Sequence, residues 1–280
     1  MKVSSPLSRH PSQGLGNSDV GQIDSSPDSG TLYEVMNTIK VATYNIHKGV
    51  QGLGPARRLE IHNLGHAVEQ FDADIVCLQE VRAFNRLHAS RFAHWPQMGQ
   101  ADFLAPEGYT PVYRTNAITK HGEHGNALLS RWPVVDHSHE NMSDHRFEQR
   151  GLLHTILRVQ ERALHVLVVH LGLLPASRVR QIKQLQRYIA RDVPEDMPVL
   201  VAGDFNDWGN TVSRMMAEFG FQSHQGVSTP TYPSRLPLVQ LDHVYARGVY
   251  PIGSFTPQGA IWTRMSDHLP LLVELAWDAP

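Results

Sequence analysis

The chain of 280 residues is long enough for one large domain or two small ones with a well-buried core. Apolar residues make up 41% of it and the formal net charge is -2, which is typical of a soluble globular protein. This charge excludes an overall basic field of the kind that drives nonspecific DNA binding, although it leaves a local basic patch open.

Three features of the chain predict a cytoplasmic protein. No apolar run is long enough to span a membrane, and the first residues lack the apolar core of a signal peptide. The single cysteine, Cys77, cannot form an internal disulfide, which favours a reducing compartment.

The composition divides the chain into a tail and one domain. Residues 1–36 are rich in Ser, Pro, Gly and Asp and have little periodicity, so they cannot bury enough apolar surface to offset their ordering entropy. We therefore predict a disordered tail at 1–36 and a single folded domain at 37–280, where no second break in composition occurs.

The first elements form a crossover unit. An apolar run over 39–46 predicts a strand, Pro55 is expected to open a helix with apolar residues at helical spacing, and 75–78 predicts a second strand. Strand, helix and strand in this order are typical of an α/β fold.

The rest of the chain alternates between strand and helix signals. Strands are predicted over 109–114, 124–131, 134–142, 239–245 and 271–275, and a hairpin over 151–159 and 163–170. Helices are predicted to begin at Pro175 and near Val212, with a buried strand between them that starts at Val199. The segments 82–106, 230–237 and 262–270 have weak patterns and are predicted to be mainly loops.

Polar side chains collect at the ends of these strands. Asn45, Glu80, His170 and Asp204 each follow an apolar run, Asp242 lies within a strand, and Asp267-His268 precedes the last strand. Sheets hold strand ends rigidly, so such groups can be fixed in place. An oxygen-rich set of this kind suits Mg²⁺ or Mn²⁺ better than zinc.

The segment Gly203-Asp204-Phe205-Asn206 carries the densest signal. Asp204 and Asn206 are two residues apart, so in extended geometry their side chains point the same way and could hold water, a cation and a phosphate oxygen together. The alternative is a plain Asp/Asn turn at the end of a strand.

The order of six short motifs resembles the endonuclease/exonuclease/phosphatase superfamily, which includes DNase I. The motifs are Tyr44-Asn45, Gln79-Glu80, His170-Leu171-Gly172, Gly203-Asp204-Phe205-Asn206, Leu241-Asp242-His243 and Ser266-Asp267-His268. The resemblance implies a four-layer α/β/β/α sandwich, in which two mainly antiparallel sheets pack face to face with helices outside. It also implies metal-dependent hydrolysis of a phosphoester by an in-line water.

The resemblance implies a role for each matching residue. Glu80 is expected to be the main ligand of Mg²⁺ or Mn²⁺, with Asn45 and Asp267 beside the metal. Five residues are expected to be catalytic. His170 would donate to a phosphate oxygen, and Asp204 would orient or deprotonate the water. Asn206 would hold the phosphate or the leaving oxygen, and Asp242 and His268 would act as a pair. Whether Asp204 or His268 is the base stays open.

Two substrate-binding residues are predicted on thinner grounds. In His124-Gly125-Asn126, Asn126 is favoured over His124 as the substrate contact, against plain turn chemistry. Arg150 could pair with phosphate through its planar guanidinium, against the reading of a surface arginine.

The motifs predict the reaction better than the substrate. We predict a phosphodiesterase or nuclease acting on DNA or RNA, with a lipid head group or another small phosphoester as the alternative. A binding protein that keeps the fold without the chemistry is the more distant alternative, since fold does not fix function. No protein partner is implied.

Overall fold

The computed structural model of the chain describes residues 38–226 and 228–278. The tail predicted at 1–36 lies outside the described residues. Among the helices within the described ranges, none has both the length and the apolar character of a membrane span.

The first sheet has six strands and is antiparallel except at one pair. Its spatial order is β12-β13-β1-β4-β6-β5, and β1 and β4 are parallel. The strands are β1 (Thr38–Asn45), β4 (Ile75–Val81), β5 (Thr110–Thr119), β6 (Gly122–Ser130), β12 (Tyr250–Phe255) and β13 (Leu271–Ala276).

The second sheet has five strands and repeats this plan. Its order is β11-β10-β9-β8-β7, and the parallel pair here is β9 and β10. The strands are β7 (Val134–Asn141), β8 (Gly151–Val159), β9 (Arg162–His170), β10 (Val199–Asp204) and β11 (Asp242–Arg247).

Helices connect the parallel strands and cover the outer faces of the sheets. The helices are α1 (Ile61–Phe71), α2 (Arg86–Arg91), α3 (Gln100–Leu104), α4 (Pro175–Asp192), α5 (Thr211–Glu218) and α6 (Trp262–Met265). A two-stranded hairpin of β2 (Val50–Gln51) and β3 (Arg58–Leu59) precedes α1.

Three apolar clusters fill the spaces between the layers. The central cluster joins residues of the first sheet, such as Val41 and Leu128, to residues of the second, such as Leu200. A second cluster packs α1, α3 and α6 on the first sheet, and a third packs α4 and α5 on the second. The predicted four-layer α/β/β/α sandwich is therefore confirmed.

Local differences from the predicted elements have physical reasons. Pro55 begins only a 3-10 turn, Gly54–Ala56, because the chain then forms the β2–β3 hairpin, and the helix starts at Ile61. β12 was not predicted because Pro251 and Gly253 weaken its strand signal, and a bulge lies between these two residues. α6, four residues long, lies in the segment expected to be loop.

The register of the parallel strands brings the predicted polar residues to one edge. Asn45 at the end of β1 pairs with Gln79, next to Glu80. Asp204 at the end of β10 lies between His170 of β9 and Asp242 of β11. The site therefore forms where the same ends of both sheets meet.

Candidate active site

Asp204 lies at the centre of the polar cluster and is 1% exposed. Its Oδ2 accepts a hydrogen bond from Asn45 Nδ2 at 3.1 Å, which joins the two sheets. The same oxygen lies 3.5 Å from His170 Nε2 and 3.6 Å from His268 Nε2. Its other oxygen, Oδ1, accepts from the backbone N–H of Asn206 at 2.9 Å. Three polar side chains from distant parts of the sequence and one local backbone N–H thus surround one carboxylate.

The environment of Asp204 favours its protonated form more than water does. Burial raises the pKa of Asp204, the nearby Asp242 carboxylate raises it further, and the cationic His268 only partly opposes them. A carboxyl group with a raised pKa is a better proton acceptor than an ordinary aspartate.

Asp242 and His268 form a buried ion pair. His268 Nδ1 donates to Asp242 Oδ2 at 2.8 Å, and Thr231 Oγ1 donates to the same oxygen at 2.6 Å. Burial alone would lower the pKa of His268, but the Asp242 and Asp204 carboxylates outweigh it and raise the pKa to about 10. The imidazole is therefore held as a cation, and Tyr232 packs on it with ring centroids 5.0 Å apart.

Glu80 lies in a strained bulge at the end of β4. Its φ is +60°, and the pairing of β4 with β6 shifts between Leu78 and Val81. Such strain in a non-glycine residue is common at functional sites. Lys48 Nζ lies 2.7 Å from Glu80 Oε2. Burial would raise the pKa of Glu80, but the charge of Lys48 and its hydrogen bond outweigh this and lower the pKa to about 2.

Asp267 contacts His47, the residue that precedes Lys48 in the chain. His47 Nδ1 lies 3.0 Å from Asp267 Oδ1, and this contact lowers the pKa of Asp267 to about 2 although burial opposes it. Since Asp267 and Glu80 contact consecutive residues, both carboxylates flank the same tight turn. Ser266 Oγ also donates to the carbonyl of Asn45 at 2.6 Å, which fixes this loop against β1.

His170 and Asn206 line the side of the cluster that the second sheet provides. Burial holds the pKa of His170 well below its usual range, and the charge of Arg150 lowers it further, so the ring is neutral. Asn206 Nδ2 donates to the Leu171 carbonyl at 3.0 Å, and its backbone has a φ of +49°. Both residues are almost fully buried.

The two residues predicted to bind substrate have different surroundings. Arg150 is held at the edge of the cluster, with Nε on the Leu171 carbonyl and Nη2 on Glu148, both at 3.1 Å. Asn126 is fully buried, and its Nδ2 donates to the carbonyls of Gly151 and Val168, which ties the first sheet to the second. Its Oδ1 has no partner among the described residues.

His124, which the sequence ranked below Asn126, interacts with the charges of the cluster. Burial lowers its pKa to about 4, while Glu80 opposes this shift and Lys48, Arg82 and Arg150 add to it. His124 is therefore close enough to the site for these charges to act on it, and it stays the alternative to Asn126 as a substrate contact.

Two side chains that contact carboxylates of the site, Lys48 and His47, were not among the predicted residues. Both closely follow Asn45 in the segment Tyr44-Asn45-Ile46-His47-Lys48-Gly49, so their position was the available signal. Their backbones have φ values of +64° and +45°, a local fold that the residue types do not indicate.

Two groups of side chains could hold a divalent metal. Asn45, Glu80 and Asp267 can offer oxygen ligands, which fit Mg²⁺ or Mn²⁺, and each carboxylate already contacts a basic side chain. Asp204, Asp242 and His268 have ligand atoms within 4.8 Å of one another, and Asp242 Oδ1 is buried without a partner among the described residues. In this second group, however, His268 is held protonated, and a metal ligand must be neutral imidazole.

Comparison with known proteins gives consistent matches. A sequence profile described as the Endonuclease/Exonuclease/phosphatase family matches residues 42–268. The chain is 35% identical over 246 residues to the uncharacterized protein YbhP of Escherichia coli K12, a match that covers 85% of this chain and 96% of YbhP.

Solved structures share the fold at low sequence identity. The Bacteroides thetaiotaomicron mannosyl-6-phosphatase Bt3783 matches with a TM-score of 0.63 and 17% identity, over 85% of this chain and 99% of that one. D. rerio TDP2 complexed with a single-strand DNA product matches with a TM-score of 0.60 and 15% identity, also over 85% and 99%. From the profile match and the identity to YbhP, the chain belongs to the endonuclease/exonuclease/phosphatase family.

Proposed function

We propose that the protein is a divalent-metal-dependent hydrolase of phosphoesters that uses an in-line water. The observation that carries this proposal is the convergence of Asn45, His170 and His268 on Asp204, beside the carboxylates Glu80 and Asp267. Members of the family are generally phosphoester hydrolases, which supports the same reading.

The proposed metal ligands are Glu80, Asn45 and Asp267, because this set contains only oxygen donors and fits Mg²⁺ or Mn²⁺. A bound divalent ion would polarise a phosphoryl oxygen and stabilise the leaving oxygen. Asp267 and Glu80 would exchange their contacts with His47 and Lys48 for the ion.

Asp204 is the proposed base that orients the water and accepts its proton. We assign this role to Asp204 rather than to His268 because Nδ1 of His268 already donates to Asp242 and the ring is held as a cation. His268 and His170 then donate N–H groups to the phosphoryl oxygens, on which negative charge increases in the transition state. Asn206 holds the phosphate or the leaving group, and Arg150 and Asn126 stay proposed substrate contacts.

The proposed reaction fits two classes of substrate. The fold serves a mannosyl-6-phosphatase and, in TDP2, a protein solved with a single-strand DNA product, so the family accommodates both small phosphoesters and nucleic acid. A nuclease acting on DNA or RNA and a hydrolase of a lipid head group both use the residues above. Location in the cytoplasm is part of the proposal and is supported by the single, buried Cys77.

The experiment is a substrate panel with Mg²⁺, Mn²⁺ or a chelator. The panel contains plasmid, single-stranded and abasic DNA, RNA, phospholipids, inositol phosphates and a chromogenic diester. We expect metal-dependent hydrolysis of at least one phosphoester, and a loss of about a hundredfold or more in kcat/KM for Asp204→Asn, because this change removes the proposed base.

The matched control is Asp196→Asn, an exposed aspartate at the opposite ends of the sheets, which should keep full activity. An Asp204→Asn protein with wild-type turnover would refute the assignment. A wild-type protein that hydrolyses none of the panel but binds Mn²⁺ would favour the binding-protein alternative.

A further inference from the structure

Large apolar side chains are exposed on the loops that surround the candidate site. Leu173 and Leu174 lie three and four residues after His170, the last residue of β9, and they are 62% and 55% exposed. Trp208, two residues after Asn206, is 53% exposed. These side chains lie beside the proposed catalytic residues and face solvent.

A third loop extends this surface around His268. Trp208 contacts Tyr232 with ring centroids 5.5 Å apart, and Tyr232 in turn packs on His268. Leu236 and Leu238, in the same loop as Tyr232, are 65% and 69% exposed. The backbone N–H of Leu238 donates to the Tyr232 carbonyl at 2.9 Å, so the loop has a defined backbone conformation.

The opposite side of the site, which the first sheet provides, has the same character. Leu53 lies in the turn between β2 and β3, and Leu87 lies in α2, which follows β4; both side chains are exposed. Arg91 Nη2 donates to the Gly54 carbonyl at 2.7 Å and holds these two segments together. We call the six exposed leucines of these loops the leucine rim: Leu53, Leu87, Leu173, Leu174, Leu236 and Leu238.

The loops at the far ends of the sheets expose fewer large apolar side chains than the loops at this edge. The loops there include residues 72–74, 131–133, 160–161 and 193–198, and none of these described residues exposes a large apolar side chain, although Val135 in the adjoining strand β7 is 61% exposed. Exposed apolar surface of this extent marks an interaction site when it collects on one side of a protein. The asymmetry therefore indicates that the edge with the site meets an apolar partner.

Basic side chains accompany the leucine rim. The segments 46–59 and 82–99 contain six lysines and arginines and no acidic residue, and only Lys48 and Arg58 among the six pair with carboxylates at the segment borders, Glu80 and Glu60. Four of them, Arg57, Arg58, Arg86 and Arg91, are exposed. The rim thus combines aliphatic side chains with local positive charge.

We infer that this edge docks on the surface of a bilayer that contains anionic phospholipid, with the leucines in the head-group and acyl boundary and the arginines on the phosphates. This pairing of apolar and basic groups is what interfacial membrane binding requires. Nucleic acid fits less well, because Trp208 offers an aromatic face for base stacking but the six leucines that make up the rim offer none. If the proposed function holds, on which this part rests, the substrate is a phospholipid whose head group reaches the site.

The test measures binding of the full chain to sedimented vesicles of phosphatidylcholine, with and without phosphatidylglycerol. We expect the double variants L173S/L174S and L236S/L238S to bind the anionic vesicles about tenfold more weakly than the wild type, because less apolar surface would be buried. R57Q/R86Q should also bind severalfold more weakly, and binding should decrease at about 0.5 M NaCl because salt screens surface charge. Val135→Ser, which changes an exposed apolar residue near the far end of the sheets, is the matched control and should bind normally.

Hydrolysis of a soluble chromogenic diester is measured in parallel, and none of these variants should change it. A wild type without affinity for anionic vesicles, or rim variants that bind like the wild type, would overturn the inference. So would single-stranded DNA binding that depends on the leucines in the absence of vesicle binding. Vesicle binding of the expected kind without any diester hydrolysis would sustain the membrane surface and contradict the proposed function instead.

Discussion

At the scale of single residues, each carboxylate of the site contacts a specific basic side chain. Lys48 faces Glu80, His47 faces Asp267, and His268 lies between Asp242 and Asp204. Lys48 and His47 contact the carboxylates that are proposed to bind metal, so a divalent ion would replace them. The third is held in a buried pair, where removal of one partner would leave the other uncompensated.

This difference allows a test of where the metal binds. We expect Glu80→Gln to lower the affinity for Mn²⁺ by about tenfold or more, because it removes a charged oxygen ligand. His268→Gln should keep the wild-type affinity, because a protonated imidazole is not a ligand. Calorimetric titration of the purified proteins with Mn²⁺ measures both, independently of any activity. Loss of binding in His268→Gln with retention in Glu80→Gln would move the metal to the group of Asp204, Asp242 and His268.

At the scale of elements, the parallel pair β9–β10 positions Asp204, and it depends on a glycine. Gly203 has a φ of +152°, and a Cβ there would collide with the Val169 carbonyl of β9. The strand therefore approaches its neighbour more closely than any side chain at this position would permit, one residue before the central carboxylate.

We expect Gly203→Ala to destabilise the fold by roughly 2 kcal/mol or more, because either the backbone or the strand pairing must shift. Urea denaturation followed by circular dichroism measures the change. Gly209→Ala is the control, since no atom lies within 4 Å of a Cβ built there, and it should leave stability nearly unchanged. Equal stabilities of the two variants would show that the close approach has no energetic weight.

The sequence predicted elements well where periodicity or pattern was strong. The hairpin of β8 and β9, the helix that begins at Pro175 and the strand before Asp204 match because their apolar residues repeat with the period of the structure. The helix predicted to open at Pro55 is present, but it starts only at Ile61, because the β2–β3 hairpin forms first. β12 was missed, because Pro251 and Gly253 are poor strand formers.

The candidate site could be located from motifs but not fully described from them. Strand-end residues such as Asn45 and Asp204 could be expected to converge, because parallel strands end at the same edge of a sheet. The contacts of Lys48 and His47 depend on left-handed backbone conformations, and the burial of Asn126 depends on how two sheets stack. Neither can be read from residue order, and the charge of the rim emerges only when distant loops are placed side by side.

At the scale of the whole molecule, buried histidines are expected to make the stability of the fold depend on pH. His154 of β8 and His165 of β9 are 4% and 5% exposed, and the His154 Nε2 lies 2.9 Å from the His165 Nδ1. His154 Nδ1 also contacts the Tyr188 hydroxyl of α4 at 3.0 Å, so the pair joins the second sheet to its covering helix. Burial lowers the pKa of both, and the neighbouring His165 contributes to the value of about 4 for His154.

This arrangement predicts acid destabilisation of the entire fold. The unfolded chain binds protons on these rings near the ordinary pKa of about 6.5, whereas folded His154 binds one only near pH 4. The contribution to stability is therefore complete above pH 6.5 and is lost as the pH falls from 6.5 through 4. Allowing for water that reaches part of the pair, we expect a loss on the order of 2 kcal/mol across this window.

Urea unfolding at a series of pH values measures this loss of stability. H154Q/H165Q, which keeps polar side chains but cannot titrate, should flatten the curve of unfolding free energy against pH. His94→Gln, at an exposed position, should leave the curve unchanged. A double variant that loses stability with acid as steeply as the wild type would place the proton uptake at other groups.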